Sequence, residues 1–258
     1  MPAVSKLPWI HGQRPGRSVA LWCETTALIV RDGYDDAGSA ANTLAAERAL
    51  GIDEDCWYWF IGRPDAAFGY GIFVFEVDTG NADPTWLGVS PFDSGGLFGR
   101  WIATNPSLDD PHEKRAFFAT VHYPIAEWQD RFELYLSQNY DSVSEYVKGR
   151  PPRVGVPPIV SGPPNTQRAW TWEGHIHRSR VAALVRLVHV YLSRRMHERF
   201  QQWVAQSPYD APVRSRILAL MEDRSRVTVV SRHTEAEAAT EFLVRRYGTE
   251  PTRMEAQP

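Results

Sequence analysis

Cysteine is scarce in this 258-residue chain, which has only Cys23 and Cys56, each in an apolar, strand-like segment. Two cysteines are too few for the disulfide framework that stabilises small secreted domains. Long apolar runs are missing as well, because no window reaches the ~18 uncharged apolar residues that a membrane-spanning helix needs. The sequence therefore predicts a soluble, cytoplasmic protein without a membrane partner.

An excess of positive charge is also absent. Lys and Arg total 28 against 31 Asp and Glu, so the formal net charge is −3. A chain of this charge has no overall positive field that would hold a nucleic-acid backbone. Neither the glycine-rich P-loop nor the dinucleotide-binding glycine pattern occurs. Nucleic acid and the two common phosphate-binding loops are therefore not indicated.

Apolar and aromatic residues are plentiful. Hydrophobic residues make up 43% of the chain and charged residues 23%, which is enough to bury one large core or two small ones. Aromatic residues reach 12%, with ten tryptophans. Their rigid, flat rings suit pocket walls as well as a core.

The N-terminal two thirds mix strand and helix patterns without a regular alternation of the two. Cys56–Ile61 and Gly71–Val77 are apolar, aromatic segments that we predict to be neighbouring antiparallel strands. From Asp110 to Tyr140 the apolar residues have helical spacing, with a break near Pro124. This mixture predicts an α+β fold with a mainly antiparallel or mixed sheet and flanking helices.

A proline-rich segment follows. Residues 150–164 contain six prolines and two glycines, so we predict a stiff connector over residues 150–167. We predict one domain over residues 1–258, with this connector as a possible boundary. Beyond it, Trp170–Ile176 is predicted to be a strand. Val181–Ala205 is predicted to be one long helix from its apolar spacing, although its first half alone also fits a buried strand.

The C-terminal segments have clearer limits. Val213–Glu222 is predicted to be a helix and Arg226–Ser231 a short strand. Thr234–Tyr247 is predicted to be a helix that Thr234 caps together with Glu237 at the third helical position.

The loop Asp93-Ser94-Gly95-Gly96 is similar to the segment around the nucleophile of trypsin-like serine proteases. Phe92 and Leu97 replace the glycine and proline that flank that motif, and too little chain precedes Ser94 for a two-barrel protease. We therefore exclude a catalytic serine. A loop that packs on the core is the simpler interpretation, and a ligand cleft lined by Ser94 and the loop amides is the alternative.

His175 and His177 alternate along the strand and so share one face, as metal-binding His-X-His pairs do. A third ligand would come from a distant His112, His122, His189 or an acid. Two surface histidines are the more common outcome, so we predict no metal site. A metal-dependent hydrolase that uses His175 and His177 is kept as an alternative.

Glu173 lies between these histidines and two tryptophans. Alternation along a strand puts Trp170 and Trp172 on one face and Glu173 on the other, together with the histidines. A lone glutamate in a strand usually faces water. It is nevertheless the acid that we would assign to chemistry first.

Four segments together resemble the ADP-ribosyltransferase superfamily in outline over residues 8–177. They are His11-Gly12, the aromatic strand 57–60, the segment 68–75 and the late Glu-Gly-His-Ile that begins at Glu173. The resemblance implies that His11 and Gly12 bind NAD, that Tyr58 or Tyr70 stacks on nicotinamide, and that Glu173 is catalytic. Ser94 is a further candidate for contact with NAD.

The function that this resemblance implies is cleavage of the bond between nicotinamide and ribose in NAD, with NAD as a consumed substrate. A positioned carboxylate stabilises the positive charge that develops on the ribose. The acceptor is an unnamed macromolecule, small molecule or water. A non-enzymatic binding protein, which recognises a partner through its aromatic surface and connector, is the alternative from a different class.

Overall fold

The structure is a computed structural model. It describes residues 7–13, 21–22, 28–29, 56–64, 71–80, 87–92, 111–153, 170–177, 183–206, 211–231 and 234–248. The strands in these ranges are β1 (Trp9–Gln13), β2 (Leu21–Trp22), β3 (Leu28–Ile29), β4 (Cys56–Ile61), β5 (Gly71–Val77), β6 (Leu87–Ser90), β7 (Tyr123–Pro124), β8 (Glu173–His177), β9 (Val185–Ser193) and β10 (Val227–Val230). The helices are α1 (Pro111–Val121), α2 (Trp128–Asn139), α3 (Val143–Val147), α4 (Arg194–Gln206), α5 (Ala211–Glu222) and α6 (Glu235–Tyr247).

Eight of these strands form one sheet in the order β10-β9-β5-β1-β4-β8-β6-β7, and β2 pairs with β3 in a separate ribbon. β10 and β9 are parallel, whereas every other neighbouring pair in the large sheet is antiparallel. The predicted α+β class with a mainly antiparallel or mixed sheet is confirmed. β4 and β8 pair directly although the proline-rich segment separates them in sequence.

β4 and β5 have the predicted limits, but the prediction that they are neighbours is wrong. β1 lies between them and pairs antiparallel with both. No strand is predicted for the residues of β1, because their glycine and short length weaken the strand signal. Its Trp9 and Ile10 side chains are buried within the sheet. Pairing of consecutive strands is a tendency that an inserted central strand overrides.

The prediction of one long helix over Val181–Ala205 is also wrong. Residues 185–193 form β9, and α4 begins directly after it at Arg194. β9 pairs with β5 on one side and with β10 on the other. A strand that is covered on both faces has a nearly continuous apolar sequence, so its spacing also satisfies a helical pattern.

The helices cover both faces of the sheet. On one face the α2 residue Trp128 packs edge-on against Trp9, with ring centroids 6.0 Å apart, and the α4 residue Phe200 packs against Phe73 at the same distance. On the other face the α6 residue Phe242 stacks on His189 of β9 at 5.4 Å. The large sheet is therefore the central layer of the core.

Two further helix predictions have different outcomes. Helices α1 and α2 are separated near Pro124 as predicted. Helix α6 begins after Thr234 and ends at Tyr247 as predicted, but the predicted side-chain cap is wrong. The Thr234 hydroxyl donates to the Ser231 carbonyl at 2.8 Å instead of accepting from the first turn of the helix.

Tyr146 of α3 ties the start of β8 to the end of β4. Its buried hydroxyl accepts a hydrogen bond from the Trp172 backbone N–H at 3.1 Å and donates to the Ile61 carbonyl at 2.9 Å. The Ile61 N–H in turn donates to the Trp172 carbonyl at 2.8 Å. This network fixes the backbone immediately before Glu173.

Tyr146→Phe is expected to lower the free energy of unfolding by about 1–3 kcal/mol, because it leaves a buried N–H and a buried carbonyl without a partner. Urea denaturation followed by tryptophan fluorescence measures the change. Tyr123→Phe is the matched control, since the Tyr123 ring is only half-buried and stacks on Trp172 through its face. Equal losses in the two variants would contradict the role of the Tyr146 hydroxyl.

Candidate functional site

Glu173 and His175 are charged or polar residues that the sheet buries. They alternate along β8 and so lie on the same face, as the sequence predicted. Their exposed fractions are only 4% and 2%. The common outcome for a lone strand glutamate, contact with water, therefore does not apply to Glu173. Burial of such groups requires hydrogen-bond partners, because unpaired polar groups in a core are costly.

Those partners form a chain of three side chains. The Glu173 Oε1 atom lies 2.9 Å from His175 Nε2, and His175 Nδ1 lies 3.0 Å from His122 Nε2. The two imidazole rings are close to parallel, at 20°, with centroids 5.0 Å apart. We call Glu173, His175 and His122 the Glu-His-His chain. It is half-buried at His122 and fully buried at Glu173.

Gly88 makes room for His122. Gly88 lies in β6 directly opposite His175 of β8. His122 lies between α1 and β7, and its ring packs over Gly88. A Cβ atom at position 88 would collide with the Cε1 and Nε2 atoms of the His122 ring. Only glycine therefore allows this histidine to reach His175.

Gly174 leaves room for the Trp9 side chain on the opposite face of the sheet. A Cβ atom there would collide with the Trp9 indole, which is fully buried. The tryptophan packs against the β8 backbone between Glu173 and His175. Alternation along β8 places Glu173 and His175 on the face opposite Trp9.

His122 strongly favours its neutral form. Burial, followed by repulsion from the His175 imidazole, lowers the pKa of His122 from 6.5 to about 3. His122 is therefore neutral at pH 7, with one ring nitrogen protonated and the other able to accept a proton.

Because the pKa of His122 is lowered in the folded state, the free energy of unfolding depends on pH. The unfolded chain binds a proton at His122 below its ordinary pKa of 6.5, whereas the folded chain does so only near pH 3. The unfolded state holds more protons between these values, so the free energy of unfolding rises with pH through this window. We expect wild type to lose about 2 kcal/mol between pH 7 and pH 5 through this residue.

Urea denaturation at several pH values between 5 and 7 measures this loss. His122→Gln removes the titrating group, so its stability should change less over the window than that of wild type. His112→Gln, on the exposed surface of α1, is the matched control and should keep the wild-type slope. Parallel slopes in wild type and His122→Gln would contradict the lowered pKa.

The structure places the residues predicted from the resemblance as follows. Glu173 is opposite Phe60 of β4, and Phe60 is opposite Ile10 of β1. His11 and Gly12 follow Ile10, so they lie two strands away from β8. Tyr58 is directly opposite His175. The side chains of His11, Tyr58 and His177 and the whole of Tyr70 and Ser94 lie outside the described residues.

The described part of the chain offers no group of three histidine, cysteine or acidic side chains suited to a metal ion. Both ring nitrogens of His175 are in hydrogen bonds, one with Glu173 and one with His122. A metal ion at His175 would have to break one of them. The arrangement therefore favours proton transfer over metal binding at this residue.

The sequence alone does not identify His122 as a member of the chain that contains Glu173. The sequence offers it only as one of several possible third metal ligands beside His175 and His177, and its place after α1 is not distinctive. A sharper signal was the glycine pair, since Gly88 and Gly174 both stand inside strands. An isolated glycine within a strand often marks close approach by another group.

Fold and site together define the class: an α+β protein that buries a carboxylate–imidazole–imidazole chain on one face of a mostly antiparallel sheet. Comparison with protein-family models, curated proteins and solved structures found no match for this chain. In the described ranges, none of the helices is both long and apolar enough to cross a membrane.

Proposed function

We propose that this protein is an enzyme in which His122 acts as a general base at the outer end of the Glu-His-His chain. The observation that supports the proposal is the pair of hydrogen bonds that joins His122 to buried Glu173 through His175. A base at such a position deprotonates water or an acceptor hydroxyl during bond cleavage.

The proposal takes Glu173 as ionised, and the protons within the Glu-His-His chain follow from that choice. An ionised Glu173 only accepts, so His175 donates through Nε2–H and is left with an accepting Nδ1. His122 must then donate through Nε2–H, which leaves its Nδ1 as the nitrogen that accepts a proton. The buried carboxylate thereby sets the tautomer of a histidine that it does not touch.

The Glu-His-His chain also avoids an unfavourable buried positive charge on His122. A proton that arrives at His122 Nδ1 would create an imidazolium, which burial disfavours. Transfer of the His122 Nε2 proton to His175 Nδ1, and of the His175 Nε2 proton to Glu173 Oε1, removes that charge. The result is a neutral acid and two neutral imidazoles with exchanged tautomers.

For the substrate we propose NAD, which the ADP-ribosyltransferase resemblance of His11, Gly12, Tyr58, Tyr70, Ser94 and Glu173 suggests. The bond between ribose C1′ and the nicotinamide nitrogen breaks, and its electron pair stays with nicotinamide. An oxygen of water or of an acceptor bonds to C1′, and its proton goes to His122. We place this reaction in the cytoplasm, as the few cysteines favour.

The direct test is incubation of the purified protein with NAD, with and without cell lysate as a source of acceptor, followed by NMR detection of free nicotinamide. We expect release by wild type and a large loss with Glu173→Gln. Absence of release under both conditions would refute NAD as the substrate and favour a non-enzymatic binding protein.

The proton assignment has a test that needs no substrate. Long-range ¹H–¹⁵N correlation spectra of histidine side chains distinguish the two neutral tautomers. We expect His122 to be protonated at Nε2 at pH 7. Protonation at Nδ1 would refute the base role, because that nitrogen would then be a donor.

A further inference from the structure

Arg63 is a fully buried cation on the segment that follows β4. Gly62, with φ of 64°, ends β4 in the left-handed region and turns the chain so that Arg63 enters the interior. Its guanidinium lies over the Tyr146 ring, 5.4 Å from the centroid. No part of the Arg63 side chain contacts solvent.

The guanidinium donates to the Tyr140 hydroxyl, but the described residues satisfy it only in part. NH1 and NH2 donate to the Trp170 and Arg150 carbonyls at 3.5 Å each, the long limit of a hydrogen bond. The buried Nε–H has no acceptor within the described ranges. Among the residues that the structure describes, Arg63 forms no ion pair. A buried charge without an opposite charge is strongly unfavourable, so its retention calls for an explanation.

Within the described ranges, the surroundings of Arg63 supply hydroxyl groups but no negative charge. Tyr135 and Tyr140 are hydrogen-bonded to each other through their hydroxyls at 3.3 Å beside the guanidinium. Burial raises the pKa of both hydroxyls, although Arg63 opposes the effect, so they stay neutral at pH 7. The Tyr135 hydroxyl donates to the Trp170 carbonyl at 3.4 Å, so it can donate to an anion once that carbonyl is displaced. Neither hydroxyl can neutralise the arginine.

We propose that Arg63 binds an oxyanion, the carboxylate or phosphate group of a ligand, between the Arg150 and Trp170 segments. The Nε–H and a second N–H on the same edge of the guanidinium form the parallel pair of donors that binds two oxygens at once. The anion supplies the negative charge that the described residues around Arg63 lack. It enters by displacing the two weakly held carbonyls, and the tyrosine hydroxyls complete its hydrogen bonds.

The test titrates wild-type protein with inorganic phosphate and with acetate, against sodium chloride at equal ionic strength. With saturating phosphate or acetate we expect Tm to rise by about 5 °C. In ¹H–¹⁵N spectra of arginine side chains, we expect the Arg63 Nε–H resonance, assigned through its own side-chain carbons, to move. A response to acetate alone indicates a carboxylate ligand, and one to phosphate alone a phosphate ligand.

Arg63→Lys keeps the charge but loses the paired donors, so the rise in Tm should disappear. Arg131→Lys is the matched control, because Arg131 also lies over a tyrosine ring, Tyr123, at 5.5 Å but is exposed. It should respond as wild type does.

If Arg63→Lys does not fold, the wild-type spectra decide alone. An Arg63 Nε–H resonance and a Tm that respond no more to phosphate and acetate than to chloride would overturn the proposal. The measurement involves no NAD turnover, so its outcome is independent of the NAD test.

Discussion

His122→Gln is expected to lower kcat for nicotinamide release by about 10²–10⁴-fold, the usual contribution of a general base. Glutamine can still donate a hydrogen bond to His175 Nδ1, but it cannot take up a proton at neutral pH. Steady-state NMR or coupled assays of nicotinamide release at saturating NAD measure the effect. His112→Gln on the exposed side of α1 should retain wild-type kcat.

Glu173→Gln separates two roles for the carboxylate. The glutamine carbonyl can accept the same hydrogen bond from His175 Nε2–H, so the tautomer of His122 is preserved. A carboxylate that only orients the histidines would then be replaceable with little loss. If Glu173 receives the proton, as proposed, Glu173→Gln should lose as much activity as His122→Gln.

The solvent isotope effect provides an independent readout of proton transfer along the chain. Wild type should show a curved dependence of kcat on the fraction of D₂O, because several protons move together. Retention of most activity in Glu173→Gln, combined with a linear dependence in wild type, would reduce Glu173 to an orienting residue.

Gly88→Ala is expected to reduce kcat/KM by about 10²-fold, because displacement of a catalytic group by roughly 1 Å has an effect of this size. The added methyl group collides with the His122 ring and separates it from His175. The same overpacking should lower the free energy of unfolding by about 1–3 kcal/mol. Activity assays and urea denaturation measure the two losses on one sample.

A double-mutant cycle tests whether the collision with His122 is the cause. When His122 is already alanine, the ring is absent, and Gly88→Ala should cost much less stability than it does in wild type. Equal costs in both backgrounds would show that the methyl group disturbs the β6 backbone instead. The catalytic interpretation of Gly88 would then fail.

Local sequence patterns were sufficient where one interaction dominates. β4 and β5 have the predicted limits because their aromatic and β-branched residues favour strands whatever the partner is. α2 and α6 were predicted because their apolar residues keep helical spacing and Gly248 ends the second of them.

Patterns failed where a segment is buried on several sides. β9 was predicted as helix because it lies inside the sheet with both faces covered, so its mostly apolar sequence also fits helical spacing. β1 was missed because a central strand of five residues has too little length for a periodic signal.

The Thr234 cap was predicted from composition, but the hydroxyl has a closer acceptor at Ser231.

The amino-acid sequence by itself determined that Glu173 and His175 share one face of a strand, since side chains alternate along any strand. It also determined the class of fold through the mixture of strand and helix patterns. Only the tertiary structure decided that both residues are buried, that His122 is hydrogen-bonded to His175, and that Arg63 has no opposite charge among the described residues. Burial and partnership depend on residues that are distant in sequence, and no local periodicity encodes which of them meet.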